Sequence, residues 1–360
     1  MRKLWAVLIG MVMLSSSALA QSGGPTMTPA GEERSIGFDC PVAQALSPDG
    51  ETLWVLMQGC FSRTASLLAF NAADGEPIAL AADYTEALAL LQGGEVIGST
   101  NPMGFMDANT LSIRYVDSET YAVRSLTITL DGQLAEPLRD DDSLMALLSQ
   151  YEEYPEYSVY SDDHRLAVTV GSASAHVLDV ASGEELFSIS YPAETYNAYP
   201  TFSPDSSIVY FGQFNEPENF ESYESTLTAY SLPDGEVIGS WPVPSAFVWV
   251  SPDGRYAAAQ IGANDGTSSD LLLANLETGG VSAPLALYEP PRRATACTND
   301  GRSLTDVDFT VSGTLNLTRV NWLPDSSGFA YTRSYGGEAV GGGRPCALDS
   351  SRLNRVSVAG

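Results

Sequence analysis

A short turn sequence recurs along this chain and constrains its fold more than any other feature. Ser251-Pro252-Asp253-Gly254 separates one apolar run from a second apolar run. Proline pre-sets φ at the second position of a tight turn, and glycine accepts the left-handed conformation that closes a short hairpin. Near copies stand at Ser47-Pro48-Asp49-Gly50, Ser203-Pro204-Asp205-Ser206 and Leu323-Pro324-Asp325-Ser326. A turn that recurs in one context indicates a repeated supersecondary unit.

Each turn lies between two strand-like segments, and a third and a fourth such segment usually follow. The turns at Asp162, Asp205 and Asp253 are 43 and 48 residues apart, a spacing typical of four-stranded propeller blades. The last unit has only three predicted strands, and Ser35–Asp39 is free to supply the fourth and close the ring. The sequence therefore predicts an all-β fold: a single six-bladed β-propeller with four-stranded antiparallel blades. The alternative is a seven-bladed propeller, because the two long insertions are long enough to contain another blade.

The second unit and the two insertions depart from the regular pattern. The second unit is degenerate, and we predict that its first strand covers Glu86–Leu91. The insertion at residues 131–153 contains a predicted helix that Asp142 or Ser143 can cap. Its apolar face is formed by Leu144, Leu147, Leu148 and Tyr151, which recur at helical spacing. The insertion at residues 288–314 is irregular.

The first 20 residues have the three parts of a secretory signal peptide. Arg2 and Lys3 form the basic region, Leu4 to Leu14 is apolar, and Ala18-Leu19-Ala20 is a small-residue cleavage site. The apolar run is shorter than the ~20 residues that a membrane-spanning helix needs, which favours cleavage over anchoring. We therefore expect a secreted or periplasmic protein without membrane insertion. Its expected parts are a signal peptide at 1–20, a flexible leader at 21–34 and the β-propeller at 35–360.

The chain is strongly acidic. It has 45 Asp and Glu against 17 Lys and Arg, which gives a net charge of −28 at pH 7. Such a field repels nucleic acid and anionic lipid, so we exclude both as partners. The charge indicates either a solvated shell that keeps an exported protein in solution or a surface for cations or a basic partner. Composition alone favours the solvated shell.

Four cysteines in an exported chain indicate disulfide bonds. Four cysteines allow three pairings, and the blade arrangement selects Cys40 with Cys60 and Cys297 with Cys346. Each of these pairs flanks the first hairpin of one blade, whose open end brings the two cysteines together. A zinc site is disfavoured because no Cys-x-x-Cys spacing occurs.

No recognised catalytic motif is visible in the sequence. The only histidines, His164 and His176, lie beside a turn and inside a predicted strand, and neither matches a catalytic triad or a metal site. There is no Gly-x-Ser-x-Gly elbow, phosphate loop or dinucleotide fingerprint. Asn264-Asp265-Gly266 offers oxygen ligands for calcium but lacks the full loop spacing. We therefore predict no catalytic residue, no bound metal and no cofactor.

Aromatic and arginine side chains are concentrated in the loops expected at the end of the ring opposite the Ser-Pro-Asp turns. Such side chains are the usual anchors of recognition surfaces, and loops on a rigid scaffold commonly carry function. We call this end the loop face, and its candidate binding residues are Tyr84, Phe105, Tyr154, Tyr157, Tyr196, Tyr199, Tyr223, Arg292 and Arg293. The alternative for many of the tyrosines is packing between blades. The turns themselves are interpreted as structural.

The repeated Ser-Pro-Asp-Gly turns, each between an inner strand and a second strand, resemble those of WD-repeat-like and TolB-like propellers of exported bacterial proteins. The resemblance covers nearly all of residues 35–360. The Gly-His and Trp-Asp pairs of true WD repeats are absent, so their internal hydrogen-bond network is not assumed. We predict a monomeric, non-enzymatic scaffold that binds a protein or peptide through the loop face. The alternative is a propeller enzyme, or a binder of sugar, lactone or calcium, that acts at the central channel.

Overall fold

The computed structural model describes most of the chain from residue 24 onward, and nearly all of its regular structure is β-strand. The described ranges are 24–37, 40–58, 64–96, 101–117, 119–120, 122–151, 158–171, 173–190, 198–214, 225–245, 247–262, 269–286, 289–297, 303–313, 315–335, 344–345 and 351–360. Helix in these ranges is limited to α1 (Thr85–Leu88), a 3₁₀ turn over Ala89–Gly93 and α2 (Asp141–Leu148). Neither helix has the length and the apolar character that crossing a bilayer requires.

The first half of the chain forms three blades. Two short strands, β1 (Thr26–Pro29) and β2 (Arg34–Gly37), precede them. Blade 1 contains β3 (Cys40–Leu46), β4 (Thr52–Gln58), β5 (Ala65–Asn71) and β6 (Pro77–Ile78). Blade 2 contains β7 (Gly94–Val96), β8 (Met103–Asp107), β9 (Thr110–Asp117) and β10 (Val123–Thr129), and Leu134 bridges to Ile128 at its outer side. Blade 3 contains β11 (Val159–Tyr160), β12 (Leu166–Val170), β13 (Ser174–Asp179) and β14 (Glu185–Ser190).

The second half forms three more blades and a small extra sheet. Blade 4 contains β15 (Ala198–Phe202), β16 (Ile208–Phe214), β17 (Ser225–Ser231) and β18 (Val237–Val243). Blade 5 contains β19 (Val248–Val250), β20 (Tyr256–Gly262), β21 (Ser269–Asn275) and β22 (Leu285–Ala286). The extra sheet contains β23 (Glu289–Cys297), β24 (Ser303–Gly313) and β27 (Arg344–Pro345). Blade 6 contains β25 (Leu315–Trp322), β26 (Gly328–Tyr335) and β28 (Ser351–Ala359). All pairings are antiparallel, and the prediction of a six-bladed propeller with four-stranded blades is confirmed.

The N-terminal strands close the ring. Both β1 and β2 pair with β28, with Thr26 opposite Ala359 and Arg34 opposite Leu353. The segment predicted to supply the fourth strand of the last blade therefore does so, over Arg34–Gly37. β1 lies in the stretch where a flexible leader was expected, and it extends this outer strand because the outer edge of β28 has backbone groups to satisfy.

Each Ser-Pro-Asp turn is held by the same set of hydrogen bonds. The Ser251 hydroxyl donates to Asp253 Oδ1 over 2.6 Å, and the same oxygen accepts from the Arg255 amide over 3.1 Å. The Ser251 hydroxyl also accepts from the Tyr256 amide over 2.9 Å, while Gly254 takes a left-handed φ of +71°. Equivalent bonds are present at Ser47, Ser161 and Ser203. The serine and aspartate of the repeat therefore have a structural role.

Blade 3 uses this turn without proline or glycine. Its sequence is Ser161-Asp162-Asp163-His164, so Asp162 occupies the position of the proline and His164 that of the glycine. His164 has a left-handed φ of +56°. The predicted turn at Asp162 is present, and it places a carboxylate where the other turns of this kind carry a pyrrolidine ring.

Blade 2 differs from the prediction. The strand predicted over Glu86–Leu91 is wrong, because α1 and the 3₁₀ turn occupy these residues. Ala87, Leu88 and Leu91 are buried together with side chains of blades 1 and 2. Their spacing fits one face of a helix rather than the alternation of a strand. The inner strand of this blade is instead divided between β7 and β8, which pair with the same edge of β9.

The helix predicted in the first insertion is present as α2. Its N-cap is Asp140 rather than Asp142 or Ser143, and the Asp140 carboxylate accepts from the Ser143 amide over 2.9 Å. The leucines of the predicted apolar face, Leu144, Leu147 and Leu148, are buried against Tyr160, Ala167 and Leu178 of blade 3. α2 therefore covers part of blade 3.

Large apolar side chains pack between neighbouring blades. Trp54 of blade 1 contacts Tyr84 and Phe105, with ring centroids 6.2 and 6.3 Å away. Trp322 of blade 6 stacks on Tyr256 of blade 5 at 6.5 Å. Edge-to-face and stacked pairs of this kind add to the free energy gained from area burial, and they hold the blades in a fixed order around the channel.

The predicted disulfide pairings remain predictions. The side chains of Cys40 and Cys297, and the whole of Cys60 and Cys346, lie outside the described residues. The backbone register is nevertheless informative: Cys40 lies opposite Gln58, and Cys297 lies opposite Arg344. In both strand pairs the residue opposite is two positions before the predicted partner cysteine.

Candidate binding site at the channel mouth

The Ser-Pro-Asp turns surround a recess of about 390 Å³ at one end of the central channel. We call this recess the channel mouth. Its lining residues are Leu46, Ser47, Pro48, Phe105, Asp162, Asp163, Thr201, Phe202, Pro204, Asp205, Trp249, Val250, Pro252, Arg319, Val320, Asn321, Trp322 and Pro324. The second residue of each turn is among them, so the turns that position the blades also form the edge of the recess.

Aromatic side chains of the inner strands form much of the wall. Phe105, Phe202 and Trp322 are buried, whereas Trp249 is partly exposed. The indole Nε1 of Trp322 donates to the Trp249 carbonyl over 2.9 Å, which links blades 6 and 5 at the wall. Trp249 therefore presents aromatic surface to the recess, and the hydrogen bond from Trp322 holds its strand in place.

One charged pair crosses the recess. Arg319 of β25 donates through Nη2 to Asp162 Oδ1 over 2.5 Å. Asn101 of blade 2 accepts from Arg319 and donates to Asp162 Oδ1 over 3.1 Å. We call these three residues the cross-channel bridge. The Asp162 carboxylate neutralises the charge of Arg319. The hydrogen bonds among the three residues join blades 2, 3 and 6 at the channel.

A buried polar group of blade 1 supports the bridge from behind. Gln44 donates to the Arg319 carbonyl over 2.7 Å and to Asn321 Oδ1 over 2.6 Å. Its own carbonyl accepts from the Thr332 hydroxyl over 2.8 Å. Gln44, Asn321 and Thr332 are all buried. Because this network is satisfied within the protein, it favours one arrangement of the inner strand that carries Arg319.

His164 supports the bridge from the other side. Its Nε2 lies 3.2 Å from the Asn101 carbonyl, so that nitrogen carries the proton and donates. Burial of the ring, with a further contribution from the Arg114 charge, lowers the pKa of His164 to about 3. The imidazole is therefore neutral at physiological pH, and it positions Asn101 rather than transferring protons.

Carboxylates surround the recess at the third position of the turns. They are Asp49, Asp163, Asp205, Asp253 and Asp325, of which Asp163 and Asp205 line the mouth itself. The Ser47 hydroxyl lowers the pKa of Asp49, and the Ser327 hydroxyl does the same for Asp325. Burial tends to raise the pKa of Asp205, but hydrogen bonds from serines outweigh it and lower that pKa. Negative charge therefore persists around the mouth at neutral pH.

The structure describes the side chains of only two candidate residues from the loop face. Tyr84 is buried between blades 1 and 2, and its hydroxyl donates to the Leu130 carbonyl over 2.6 Å; burial raises its pKa. Phe105 lies in the wall of the channel mouth, at the end of the ring that carries the turns and not at the opposite end where it was expected. The side chains of Tyr199, Arg292 and Arg293, and the whole of Tyr154, Tyr157, Tyr196 and Tyr223, lie outside the described residues.

The sequence reasoning missed the cross-channel bridge and the role of Trp249. One signal was available, because the second turn position is proline in four turns and Asp162 in the fifth. A carboxylate at a turn position that is otherwise proline indicates a role for Asp162 besides turn formation. Its partners, Asn101 and Arg319, are 61 and 157 residues away in sequence, and no local pattern connects them.

The channel mouth combines three kinds of group that can contact a ligand. The mouth offers aromatic surface, a neutralised arginine and several carboxylates. Among the described residues, no group of three or more His, Cys, Asp or Glu side chains is arranged to hold a metal ion. Aromatic faces beside carboxylates suit a ligand that is partly apolar and partly cationic.

Comparison with known proteins shows a likeness of fold. No family model and no curated protein matches the chain. Similar solved structures include TolB from Acinetobacter baumannii, with 12% identity, TM-score 0.41 and coverage of 85% of this chain and 64% of that one. A putative TolB from Agrobacterium tumefaciens has 18% identity, TM-score 0.45 and coverage of 83% and 91%. An oligogalacturonate lyase in complex with manganese has 11% identity, TM-score 0.43 and coverage of 88% and 76%.

The chain thus spans 64% of the length of the Acinetobacter TolB. At these identities the likeness concerns the propeller fold alone, and it says nothing of activity or ligand. Two of these similar structures are a TolB and a putative TolB, and the chain itself is a six-bladed β-propeller.

Proposed function

We propose that this protein is an exported, non-enzymatic scaffold that binds a peptide segment of a partner protein at the channel mouth. The segment places an apolar or aromatic side chain against Trp249 and carries basic residues beside it. The observation that supports this proposal most directly is the recess of about 390 Å³, with aromatic walls and turn carboxylates around it. Trp249 is its accessible aromatic surface.

The size of the recess favours a segment over a folded partner. Its volume is at the lower end of the range of ligand pockets, which is enough for one or two side chains. A loop or an extended terminus can insert such side chains while its backbone rests on Pro204, Pro252 and the other turn prolines. The rest of the partner then lies outside the channel.

The charge of the mouth favours a basic segment. Asp162 neutralises Arg319. Asp163 lies 3.9 Å from the exposed Arg165, while Asp205 remains to contribute negative charge. The whole chain adds a net charge of −28, which attracts a basic partner over distances of about a Debye length. A lysine or arginine of the partner can also interact with the face of Trp249.

The cross-channel bridge makes the recess suitable for binding without rearrangement. Arg319, Asp162 and Asn101 are joined by hydrogen bonds across three blades. A recess that is already formed loses little conformational entropy when a ligand enters, and this increases affinity. The proposed scaffold therefore changes little in shape on binding.

Peptide display tests this proposal without a known partner. A library of random seven-residue peptides is selected against the immobilised protein, and the affinities of enriched peptides are measured by calorimetry. We expect enriched sequences with an aromatic or aliphatic residue beside lysine or arginine, and affinities that fall as salt rises. Enrichment of acidic peptides would contradict the proposal.

Three variants locate the binding site. Trp249→Ala is expected to weaken binding at least tenfold. Phe247→Ala is the matched control, because Phe247 is 44% exposed on the same segment and is not part of the mouth, and it should leave affinity unchanged. The double variant Tyr196→Ala and Tyr199→Ala tests the loop face. Loss of binding in that double variant, with Trp249→Ala unaffected, would place the site on the loop face instead.

A small ligand is the alternative occupant of the same recess. Thermal unfolding with and without calcium, sugars and lactones tests it, because a ligand that binds only the folded state raises the melting temperature. Export is tested separately, by N-terminal sequencing of the protein recovered outside the cytoplasm. A chain that begins at Gln21 is the expected result.

A further inference from the structure

The contact between blades 2 and 3 differs from the other contacts between neighbouring blades. In the described part of the chain, each of the other contacts contains an apolar cluster shared by the two blades. The contact between blades 6 and 1 also contains the Gln44 network, whose polar groups are hydrogen-bonded to one another.

In blade 2, Arg114 lies opposite Ser125 and Ser112 lies opposite Thr127 on β9 and β10. Residues directly opposite in an antiparallel pair share one face. This face of blade 2 is therefore polar. It packs against blade 3, because Arg114 contacts the Tyr160 ring of that blade.

In the described part of the chain, two nitrogens of the buried Arg114 guanidinium have no hydrogen-bond partner. The residue is 4% exposed, and its guanidinium carbon lies 4.2 Å from the centroid of the Tyr160 ring. Tyr160 covers one face of the guanidinium, but Nε and Nη2 at its edge form no hydrogen bond. Among the described residues Arg114 forms no ion pair. By contrast, Arg319 is bonded to both Asp162 and Asn101.

Among the described residues, hydroxyl groups on the facing sides of blades 2 and 3 are also buried without hydrogen-bond partners. They belong to Thr127 of blade 2 and to Ser158 and Thr169 of blade 3. Ser158 is two residues from Tyr160, and Thr169 is two residues from Ala167, which lies opposite Tyr160. The alternation of strands places these side chains on the face that meets Arg114. Unsatisfied buried groups are rare in native proteins and call for an explanation.

One carboxylate on this side of blade 2 is already engaged in hydrogen bonds. Asp141, at the start of α2, accepts from the Ser125 amide and hydroxyl over 3.0 and 2.7 Å. The Arg114 charge is the second cause of the lowered pKa of His164, and burial of the ring is the first. The charge of Arg114 therefore acts on the side chains around it.

We propose that a small monovalent anion of the size of chloride binds between blades 2 and 3, held by the Arg114 guanidinium and by neighbouring hydroxyls such as that of Thr127. An arginine has only hydrogen-bond donors, and serine and threonine hydroxyls can donate as well. A buried positive charge is costly unless it is paired. An anion satisfies both requirements at once, whereas a water molecule leaves the charge unpaired.

Thermal unfolding of the full chain tests this site with chloride as the probe. Sodium chloride replaces sodium gluconate at constant ionic strength, since gluconate is too large for a buried site. We expect the melting temperature to rise by about 3–5 °C with increasing chloride and then to saturate. Arg114→Gln should abolish the rise. Arg124→Gln is the matched control, because the Arg124 side chain is 38% exposed and pairs with Asp142 of α2, and it should keep the rise.

A second measurement covers the case in which Arg114→Gln does not fold. Crystals of the unaltered protein are soaked in bromide, and an anomalous peak is expected within hydrogen-bond distance of Arg114 Nε or Nη2. The proposal is overturned if Arg114→Gln responds to chloride as the unaltered protein does. It is equally overturned if no bromide peak lies at Arg114.

Discussion

Arg319 reaches across the central channel and pairs with Asp162 over 2.5 Å, which joins blade 6 to blade 3. Neighbouring blades contact each other in chain order, so blades 3 and 6 are opposite in the ring of six. The pair therefore connects the two halves of the propeller at the place where a ligand would enter. Its side chains are only 16% and 33% exposed, and Asn101 bonds to both of them.

Asp162→Asn tests the contribution of this pair to stability. The amide keeps the shape of the carboxylate, but it leaves Arg319 partly buried without a negative charge. We expect the free energy of unfolding to fall by about 1–2 kcal/mol, since a partly exposed pair is partly screened. Urea denaturation measures the change. Asp142→Asn is the control, because Asp142 is 89% exposed and its pair with Arg124 should be worth less than about 0.5 kcal/mol. Equal losses in the two variants would contradict the structural role of the bridge.

Two glycines of the repeated turn have the same conformation but different surroundings. Gly50 and Gly254 have φ of +75° and +71°. A Cβ on Gly50 would lie 2.0 Å from Cγ of Pro324, whereas the nearest atom to a Cβ on Gly254 is the Tyr210 hydroxyl at 3.9 Å. Gly254→Ala should therefore cost about 1 kcal/mol from backbone strain alone. Gly50→Ala should cost about 1–3 kcal/mol more because of the clash. Equal melting temperatures for the two variants would show that blade 1 does not contact blade 6 in this way.

His164 predicts a particular dependence of stability on pH. The folded protein keeps the ring neutral down to its pKa of about 3, while the unfolded chain takes up the proton near pH 6.5. The neutral ring makes its full contribution to the free energy of unfolding above pH 6.5. This contribution is lost as the pH falls from 6.5 towards 3, because the unfolded chain binds the proton more readily than the folded protein does. We expect it to amount to a few kcal/mol, on the order of the shift converted at about 1.4 kcal/mol per pH unit.

Urea denaturation at pH 7 and pH 4.5 measures this effect in His164→Asn. Asparagine tolerates the left-handed φ of this position, so the variant can retain the turn while removing the titrating ring. We expect its loss of stability between the two pH values to be smaller than that of the unaltered protein. His176→Gln, the control with the other histidine removed, should keep the full loss. Identical pH dependence in His164→Asn and the unaltered protein would contradict the burial of His164.

The outer strand of blade 6 provides a further test. A chain that begins at Phe38 lacks β1 and β2, which exposes the edge of β28. It also lacks Glu33 and Arg34, which pair with Arg333 and Glu76. We expect its melting temperature to fall by more than about 5 °C and its tendency to associate to increase. A chain that begins at Gly24 is the control and should melt like the unaltered protein. Unchanged melting of the shorter chain would show that the ring does not depend on this strand.

The sequence predicted most of the architecture because the turns carry local signals. Ser251 to Gly254 specifies one hairpin through its own hydroxyl, carboxylate and glycine, so the strands on either side follow within a few residues. Blade 2 lacks such a turn. There, apolar residues at helical spacing around Leu88 were interpreted as a strand, since a short apolar run fits both structures.

The channel mouth could not be predicted in the same way. Its residues come from inner strands and turns far apart in sequence, and only the closed ring brings Arg319 to Asp162. The turns were interpreted as purely structural because their serines and aspartates are engaged in holding the backbone. Their second residues, such as Pro252, have no such bonds to make, and they line the recess instead.

Photo-crosslinking of a selected peptide tests the location of binding most directly. A benzophenone side chain replaces the central aromatic residue of the tightest peptide, the complex is irradiated, and the attachment sites are identified by mass spectrometry after digestion. We predict attachment to the fragments that contain the aromatic residues of the channel mouth, which are Phe105, Phe202, Trp249 and Trp322. Attachment confined to fragments of the loop face, around Tyr154, Tyr196 or Tyr223, would contradict the proposal that the mouth is the binding site.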